Sequence, residues 1–384
     1  MKLLYTNFHS GSGGGHTTYI RDLAQALSPH HEVHVAAPAG SRLLEEAKAL
    51  HGVHTLAQPF PNGLRKLRER ARAVRQLREY LRKHLFDIVH VNGSADHRLT
   101  IAALSGLSTR PRIVLTKHNT KPLHGIQHIW RARLHTDKVI AVSEYVLRQL
   151  QTTAYRACQP QTVYNGIDTD HFAPFAGAEV SALRARFTDD PGSLLIGSNA
   201  GTSDYKSWTD IAGALALLGE DERSKVQVVV AGHPPSEKQM AIVRAAGLET
   251  QFHFPGLLKD VRPVVAAFDA GFVVSHATEA LSYACREMMC MGKPVMVTDY
   301  SGLPENIRVG TDGWIVPVHD HQAMAATLRW MLQHREALPR MGAAAHAIAS
   351  EEFGMERFIN AIVAVYEELL AVHQSNIVGN SQSS

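Results

Sequence analysis

Short apolar runs alternate with helix-period stretches along almost the entire chain, and the series plays through twice. In the first half the strand-like runs fall at residues 2–7, 32–36, 87–91, 113–116, 139–142 and 162–164, with helical spacing at 14–27 and 64–85. The second half has runs at 194–197, 227–231, 251–254, 271–274, 295–298 and 313–316, with helical stretches in the gaps. Such alternation predicts parallel sheets with helices on both faces. At 384 residues the chain suits two domains of this kind. The turn-rich stretch from Asn165-Gly166 to Pro174 separates the two series, which divides the chain into domains 1–173 and 174–354. Residues 355–373 form one long final helix, and the small, polar residues 374–384 are expected to be a disordered tail.

Composition excludes several classes. Hydrophobic residues make up 45% and charged residues 20%, ordinary for a globular protein. Cys158, Cys285 and Cys290 have neither metal-site spacing nor a disulfide framework. No uninterrupted apolar run approaches the ~18–20 residues that span a bilayer, and Met1-Lys2-Leu3-Leu4-Tyr5 reads as a strand, not a signal peptide. A cytoplasmic protein is expected. The net charge of +3 hides an asymmetry: residues 1–173 hold 23 Lys and Arg against 12 Asp and Glu, whereas residues 174–384 hold 16 against 24. An anionic surface or acceptor is drawn to the first half.

The segment from His276 to Pro294 carries the most chemistry. The strand-like run before it leads into a short loop containing Glu279. Ser282 then caps a helix that contains Glu287 and ends near Gly292. Backbone N–H groups at Leu281, Ser282 and Tyr283 are left free where the helix begins, and a helix start is a ready anion site. A carboxylate one turn further in, Glu287, suits vicinal hydroxyls. Phosphate on the amides, ribose on one acid and sugar on the other describe a nucleotide-sugar site.

Glu279, Glu287, Gly292 and Pro294 resemble the donor-binding signature of retaining glycosyltransferases of the GT-B fold, family 4. Ile140-Ala141-Val142-Ser143-Glu144 and Val163-Tyr164-Asn165-Gly166-Ile167-Asp168, with Phe172 and Pro174, resemble that family's hinge-side segments. The resemblance spans nearly the whole chain. It implies an α/β protein of two Rossmann-like domains facing across a cleft, with the C-terminal helix crossing back to the first. It implies an acceptor-side first domain and a nucleotide-sugar-binding second domain.

Three other motifs acquire roles from the resemblance. Gly11-Ser12-Gly13-Gly14-Gly15-His16 follows the first strand and opens a helix, where glycines supply positive φ and let a phosphate approach. It fits a dinucleotide fingerprint badly, because His16 stands where Gly or Ala is required and no acid ends the second strand. By resemblance Gly13, Gly14 and Gly15 contact the donor diphosphate and His16 reaches the acceptor. His118, in Thr116-Lys117-His118-Asn119-Thr120 at the carboxyl end of a strand, takes the family's sugar-contacting role, while His90 reads as structural. Lys206 follows the first strand of the second domain and would neutralise the departing diphosphate. The family usually has an arginine about five residues before that lysine and a glycine after it; here those positions are Gly201 and Ser207. The carried-over catalytic set is Glu279, His118 and Lys206, and the donor set adds Leu281, Ser282, Tyr283 and Glu287. No cofactor and no metal is expected.

Residues 64–85 read as a helix with an apolar stripe of Leu64, Leu67, Ala71, Val74, Leu77, Leu81 and Leu85, interleaved with nine basic residues from Arg65 to Lys83. Besides a solvated face, this suits an anionic membrane surface, at about 1 kcal/mol per basic residue near the surface. Nucleic acid would suit the charge, but no zinc spacing or aromatic-studded sheet supports it. The expected partners are a nucleotide diphosphate sugar and a glycan or glycolipid acceptor, such as lipopolysaccharide or another bacterial surface polysaccharide, with peripheral contact at the inner face of the membrane. The alternatives are a nucleotide-sugar epimerase of the same fold and a non-catalytic donor-binding subunit.

Overall fold

The computed structural model describes residues 1–11 and 14–381. The backbone divides into two compact units: Met1–Gly166 together with the chain from Glu356 onward, and Ile167–Met355. The division falls seven residues before the position expected from the turn-rich stretch. The cause is local: the Ile167 N–H donates to the Phe353 carbonyl at 2.8 Å, and Ile167 bridges Gly354.

The first unit holds a seven-stranded parallel sheet. Its strands are β1 (Lys2–Thr6), β2 (Glu32–Ala37), β3 (Val53–Ala57), β4 (Ile88–Val91), β5 (Arg112–Lys117), β6 (Lys138–Ala141) and β7 (Gln161–Thr162), in the order β3-β2-β1-β4-β5-β6-β7. The second unit repeats the plan with β8 (Leu194–Ser198), β9 (Val226–Val230), β10 (Phe252–His253), β11 (Ala270–Val273), β12 (Val295–Thr298) and β13 (Gly313–Val316), in the order β10-β9-β8-β11-β12-β13. In each sheet the strand order reverses beside the first strand, between β1 and β4 and between β8 and β11. A doubly wound sheet binds its ligands outside the carboxyl ends at such a switch point. Leu3, Leu4, Ile88, Val89, Ile113 and Val114 are fully covered, as strands buried on both faces must be.

The last helix, Met355–Ser381, belongs to the first unit from Glu356 onward. Tyr366 holds it there: its hydroxyl lies 3.0 Å from the Tyr5 hydroxyl and 2.5 Å from His90 Nδ1, while His90 Nε2 meets the Thr116 hydroxyl at 2.6 Å. His90 is therefore a buried polar anchor. The backbone stays helical to Ser381, past residue 374 where a disordered tail was expected.

The basic helix spans Leu67–His84, preceded by a 3-10 turn at Leu64–Lys66. Its buried positions are Ala73, Leu77 and Leu81, whereas Leu67 and Leu85 are 56% and 63% exposed. The expected stripe holds only over its middle. The tight turn after Gly63 shifts the start of the helix, and Leu85 closes it in the left-handed region at φ 51.

Candidate functional site

Both switch points carry clusters of polar side chains. In the second unit, β11 runs into a loop that presents Glu279, and the helix Tyr283–Cys290 follows. Ser282 caps that helix as expected: its hydroxyl accepts from the Cys285 amide at 3.2 Å. Among the described residues no acceptor is seen for the Leu281 and Ser282 amides. Gly271 lets the helix lie close to the sheet, because a Cβ there would stand 2.5 Å from Met288 Sδ. Thr278, just before Glu279, sits at φ 58, a costly conformation for a β-branched residue.

Glu287 projects toward the end of β8, where Asn199 Nδ2 donates to its Oε2 at 2.5 Å. Burial pushes the Glu287 carboxyl up to about 7, and the Asn199 hydrogen bond partly offsets that rise. Lys206 and Glu279 form an ion pair with both side chains largely covered. The two residues carried over as catalytic thus meet. Lys206 stands on the short turn Asp204–Lys206, and the loop before it is pinned where the Thr202 carbonyl accepts from Gln239 Nε2 at 2.7 Å and Trp208 Nε1 at 3.2 Å. Ser207 adopts φ 49, which explains why glycine is usual there; its hydroxyl meets His276 Nδ1 at 2.5 Å. Leu281 and Tyr283 are half-buried at the helix start.

In the first unit, Asn92 at the end of β4 organises the site. Its Nδ2 donates to the Thr6 and His90 carbonyls at 3.1 and 3.2 Å, which turns its Oδ1 toward His118 Nε2 at 2.8 Å. His118 must then carry its proton on Nε2 and leave Nδ1 as a lone pair. Burial holds His118 well below the usual imidazole range, and nearby histidines and Lys117 add to the effect. His16 stacks beside it with ring centroids 4.3 Å apart and is pushed down to about 4, mainly by burial. Both line a cavity of about 390 Å³ with Asn92, Lys117 and Arg131.

Gly14 has φ −179, and an added Cβ would meet nothing within 4 Å; Gly11 has equal room. The expectation of positive φ in this loop therefore fails at Gly11 and Gly14, although the open space leaves room for a close ligand. Gly15 begins the helix Gly15–Leu27. Gly13 lies outside the described residues.

Asn92 and Asn199 escaped the sequence reading. A single asparagine after a strand carries no motif, and Asn199 lies 88 residues from Glu287. A larger cavity, about 780 Å³, opens at the amino end of the second sheet, but its Asp269 is already paired with Arg184 and Arg335. Glu32, His34 and His54 bring potential ligand atoms together at the amino end of the first sheet, where Lys2 already pairs with Glu32 at 2.8 Å. Both lie away from the switch points. No helix among the described residues is long and apolar enough to cross a membrane.

Known proteins share this arrangement. Residues 13–171 match the model of Glycosyltransferase Family 4, and residues 193–334 match that of Glycosyl transferases group 1. The chain is 22% identical over 302 residues to N-acetyl-alpha-D-glucosaminyl L-malate synthase of Bacillus anthracis, covering 77% of this chain and 78% of that protein. It is 27% identical over 274 residues to the lipopolysaccharide core biosynthesis mannosyltransferase LpsB of Rhizobium meliloti, covering 69% and 74%. The crystal structure of Anabaena Alr3699/HepE in complex with UDP and glucose superposes with a TM-score of 0.80 at 20% identity, over 96% of this chain and 99% of that one. Two doubly wound units with polar switch points define a GT-B protein. The chain belongs to glycosyltransferase family 4 and is an enzyme that transfers glycosyl groups.

Proposed function

We propose that the enzyme moves a sugar from a nucleotide diphosphate sugar to a glycan or glycolipid acceptor, with retention at the anomeric carbon. The observation that carries this reading is the second unit's switch point, where Glu287 with Asn199, Glu279 with Lys206, and the start of the helix Tyr283–Cys290 converge. Glu287 would take the ribose hydroxyls. The Leu281, Ser282 and Tyr283 amides would receive the diphosphate, joined by Lys206 once it exchanges the Glu279 carboxylate for phosphate. Glu279 and His118 would orient the sugar. The anomeric carbon–oxygen bond to the diphosphate breaks as the acceptor oxygen bonds on the same face. The departing phosphate oxygen takes the acceptor proton, so no side-chain base is required.

The first unit is the acceptor side in this reading, with His16 near the acceptor. The relatives named above are an N-acetyl-alpha-D-glucosaminyl L-malate synthase and a lipopolysaccharide core biosynthesis mannosyltransferase, which supports a small or surface-glycan acceptor. A lipopolysaccharide-type acceptor fits the basic first half, with reaction in the cytoplasm at the inner membrane face through residues 64–85. Metal is not required, and transfer should persist in excess EDTA. The test is thermal unfolding with UDP, GDP, ADP and CMP, for the wild type and Glu287→Ala. One nucleoside diphosphate at 100 times its Kd should stabilise the wild type by about 2.7 kcal/mol, and the variant much less. No shift with any nucleotide would sink the proposal.

A further inference from the structure

The first unit's cavity is cationic with no acid on its wall. Arg131 and Lys117 are 3% and 7% exposed, and both line it together with Lys121. Among the described lining residues none is Asp or Glu. The partners of the two buried cations are neutral. Lys117 donates to Asn119 Oδ1. Arg131 Nε donates to the Gln127 carbonyl at 3.2 Å, Nη1 reaches the Ser94 carbonyl at 3.5 Å, and Nη2 lies 3.0 Å from His128 Nδ1. Asp96 is not part of the lining and acts on Arg131 without an ion pair between them; its Oδ2 accepts from the Thr6 hydroxyl at 2.9 Å and the Asn92 amide at 2.8 Å, and burial lifts its carboxyl to about 7, so it offers Arg131 less than a full charge. Elsewhere in the unit covered cations meet acids: Arg112 and Asp137 at 2.9 Å, Lys138 and Glu368 at 3.5 Å. A buried charge is expensive unless an opposite charge meets it.

The helix Ile126–His135 adds a second observation. It turns His128 and Arg131 inward and leaves Ile126, Ile129, Trp130 and Leu134 exposed. Hydrophobic burial would orient such a helix the other way. Its cation faces the cavity in spite of that preference.

We propose that Lys117 and Arg131 form an anion subsite that holds a phosphate or carboxylate carried by the acceptor. This rests on the first unit being the acceptor side, and it narrows the acceptor to an anionic one. The planar guanidinium matches two oxygens of such a group at once, and Lys117 adds a point charge. The neutral His16 and His118 beside them leave these cations as the positive centre of the cavity. Burial holds Lys117 down to about 7, so an anion bound there should draw a proton onto it.

The test is calorimetric titration of the full chain with inorganic phosphate, for the wild type, Lys117→Gln, Arg131→Gln and Arg131→Lys. Lys206→Ala serves as the control for phosphate held on the second unit. The expected result is binding at least about tenfold weaker in both Gln variants and partial recovery in Arg131→Lys, with the same loss repeated when the Gln substitutions are made in the Lys206→Ala background, where phosphate held on the second unit is removed. Binding unchanged in the Lys117 and Arg131 variants, or moved only by Lys206→Ala, overturns the proposal. Should Arg131→Gln fail to fold by circular dichroism, Lys117→Gln on its separate strand carries the same test. A parallel flotation arm uses phosphatidylcholine vesicles with and without phosphatidic acid. Preference for phosphatidic acid that both variants abolish places the anion on a lipid. Variant-sensitive phosphate binding without that preference places it on a soluble acceptor. UDP binding to Glu287→Ala reads the donor site alone, so failure there leaves the anion subsite standing.

Discussion

Replacing Glu287 by Gln should make the ligand-free enzyme more stable at pH 8 while weakening its grip on nucleotide. The carboxyl is lifted from 4.5 to about 7 by burial, against the opposing Asn199 hydrogen bond. The folded protein therefore binds more protons here than the unfolded chain does, so stability falls as pH rises through that interval. At about 1.4 kcal/mol per pH unit the full shift corresponds to about 3.5 kcal/mol. Water reaches the half-buried side chain and screens part of the charge, so about 2 kcal/mol is the working figure. Gln keeps an oxygen for Asn199 Nδ2 and removes the titration. Urea unfolding of both proteins at pH 5 and pH 8, followed through the second unit's transition, measures the effect. The wild type should lose about 2 kcal/mol between the two, and Glu287→Gln should lose little. In the same variant nucleoside diphosphate should bind at least about tenfold more weakly, because a charged acceptor for ribose hydroxyls contributes about 1.5–3 kcal/mol. Parallel pH profiles for the two proteins would refute the assignment of a strained, protonatable carboxyl at this position.

Lys206→Ala should lower kcat for sugar transfer by about 100-fold or more, since the cation at the leaving group is lost; steady-state kinetics would show it, and an unchanged kcat would exclude the role. Asn92→Ala should release the His118 tautomer, visible in the ring nitrogen shifts by NMR, and lower kcat about tenfold with little change in donor KM. Tyr366→Phe should cost about 1–3 kcal/mol in urea unfolding of the first unit, because Tyr5 and His90 Nδ1 lose their shared partner in a buried setting.

The double alternation of strands and helices was legible because buried parallel strands need continuous apolar runs, and those stand out in β1, β4, β8 and β11. The edge strand β3 was not legible: Val53–Ala57 carries His54 and Thr55 and is only half-buried, so it lacks the signal. The motif around Glu279 and Glu287 could be found because a cap, two acids and a Gly-x-Pro stop fall within one short segment. Asn199, Asn92 and Arg131 act through partners brought close by the fold, and no local spacing marks them. The apolar stripe of the basic helix was misread at its ends, where a 3-10 turn and a left-handed closing residue break the helical period. The Lys206–Glu279 pair joins two motifs 73 residues apart, and nothing in either one foretells the other.

The last helix has a consequence for synthesis on the ribosome. Tyr366 completes a polar cluster whose other members, Tyr5 and His90, are translated hundreds of residues earlier. All of Ile167–Met355 emerges before that partner does. The nascent first unit must wait with a buried imidazole lacking its partner, while the second unit has every element it needs. Vectorial folding of this enzyme therefore finishes in the middle of the chain before it finishes at the beginning.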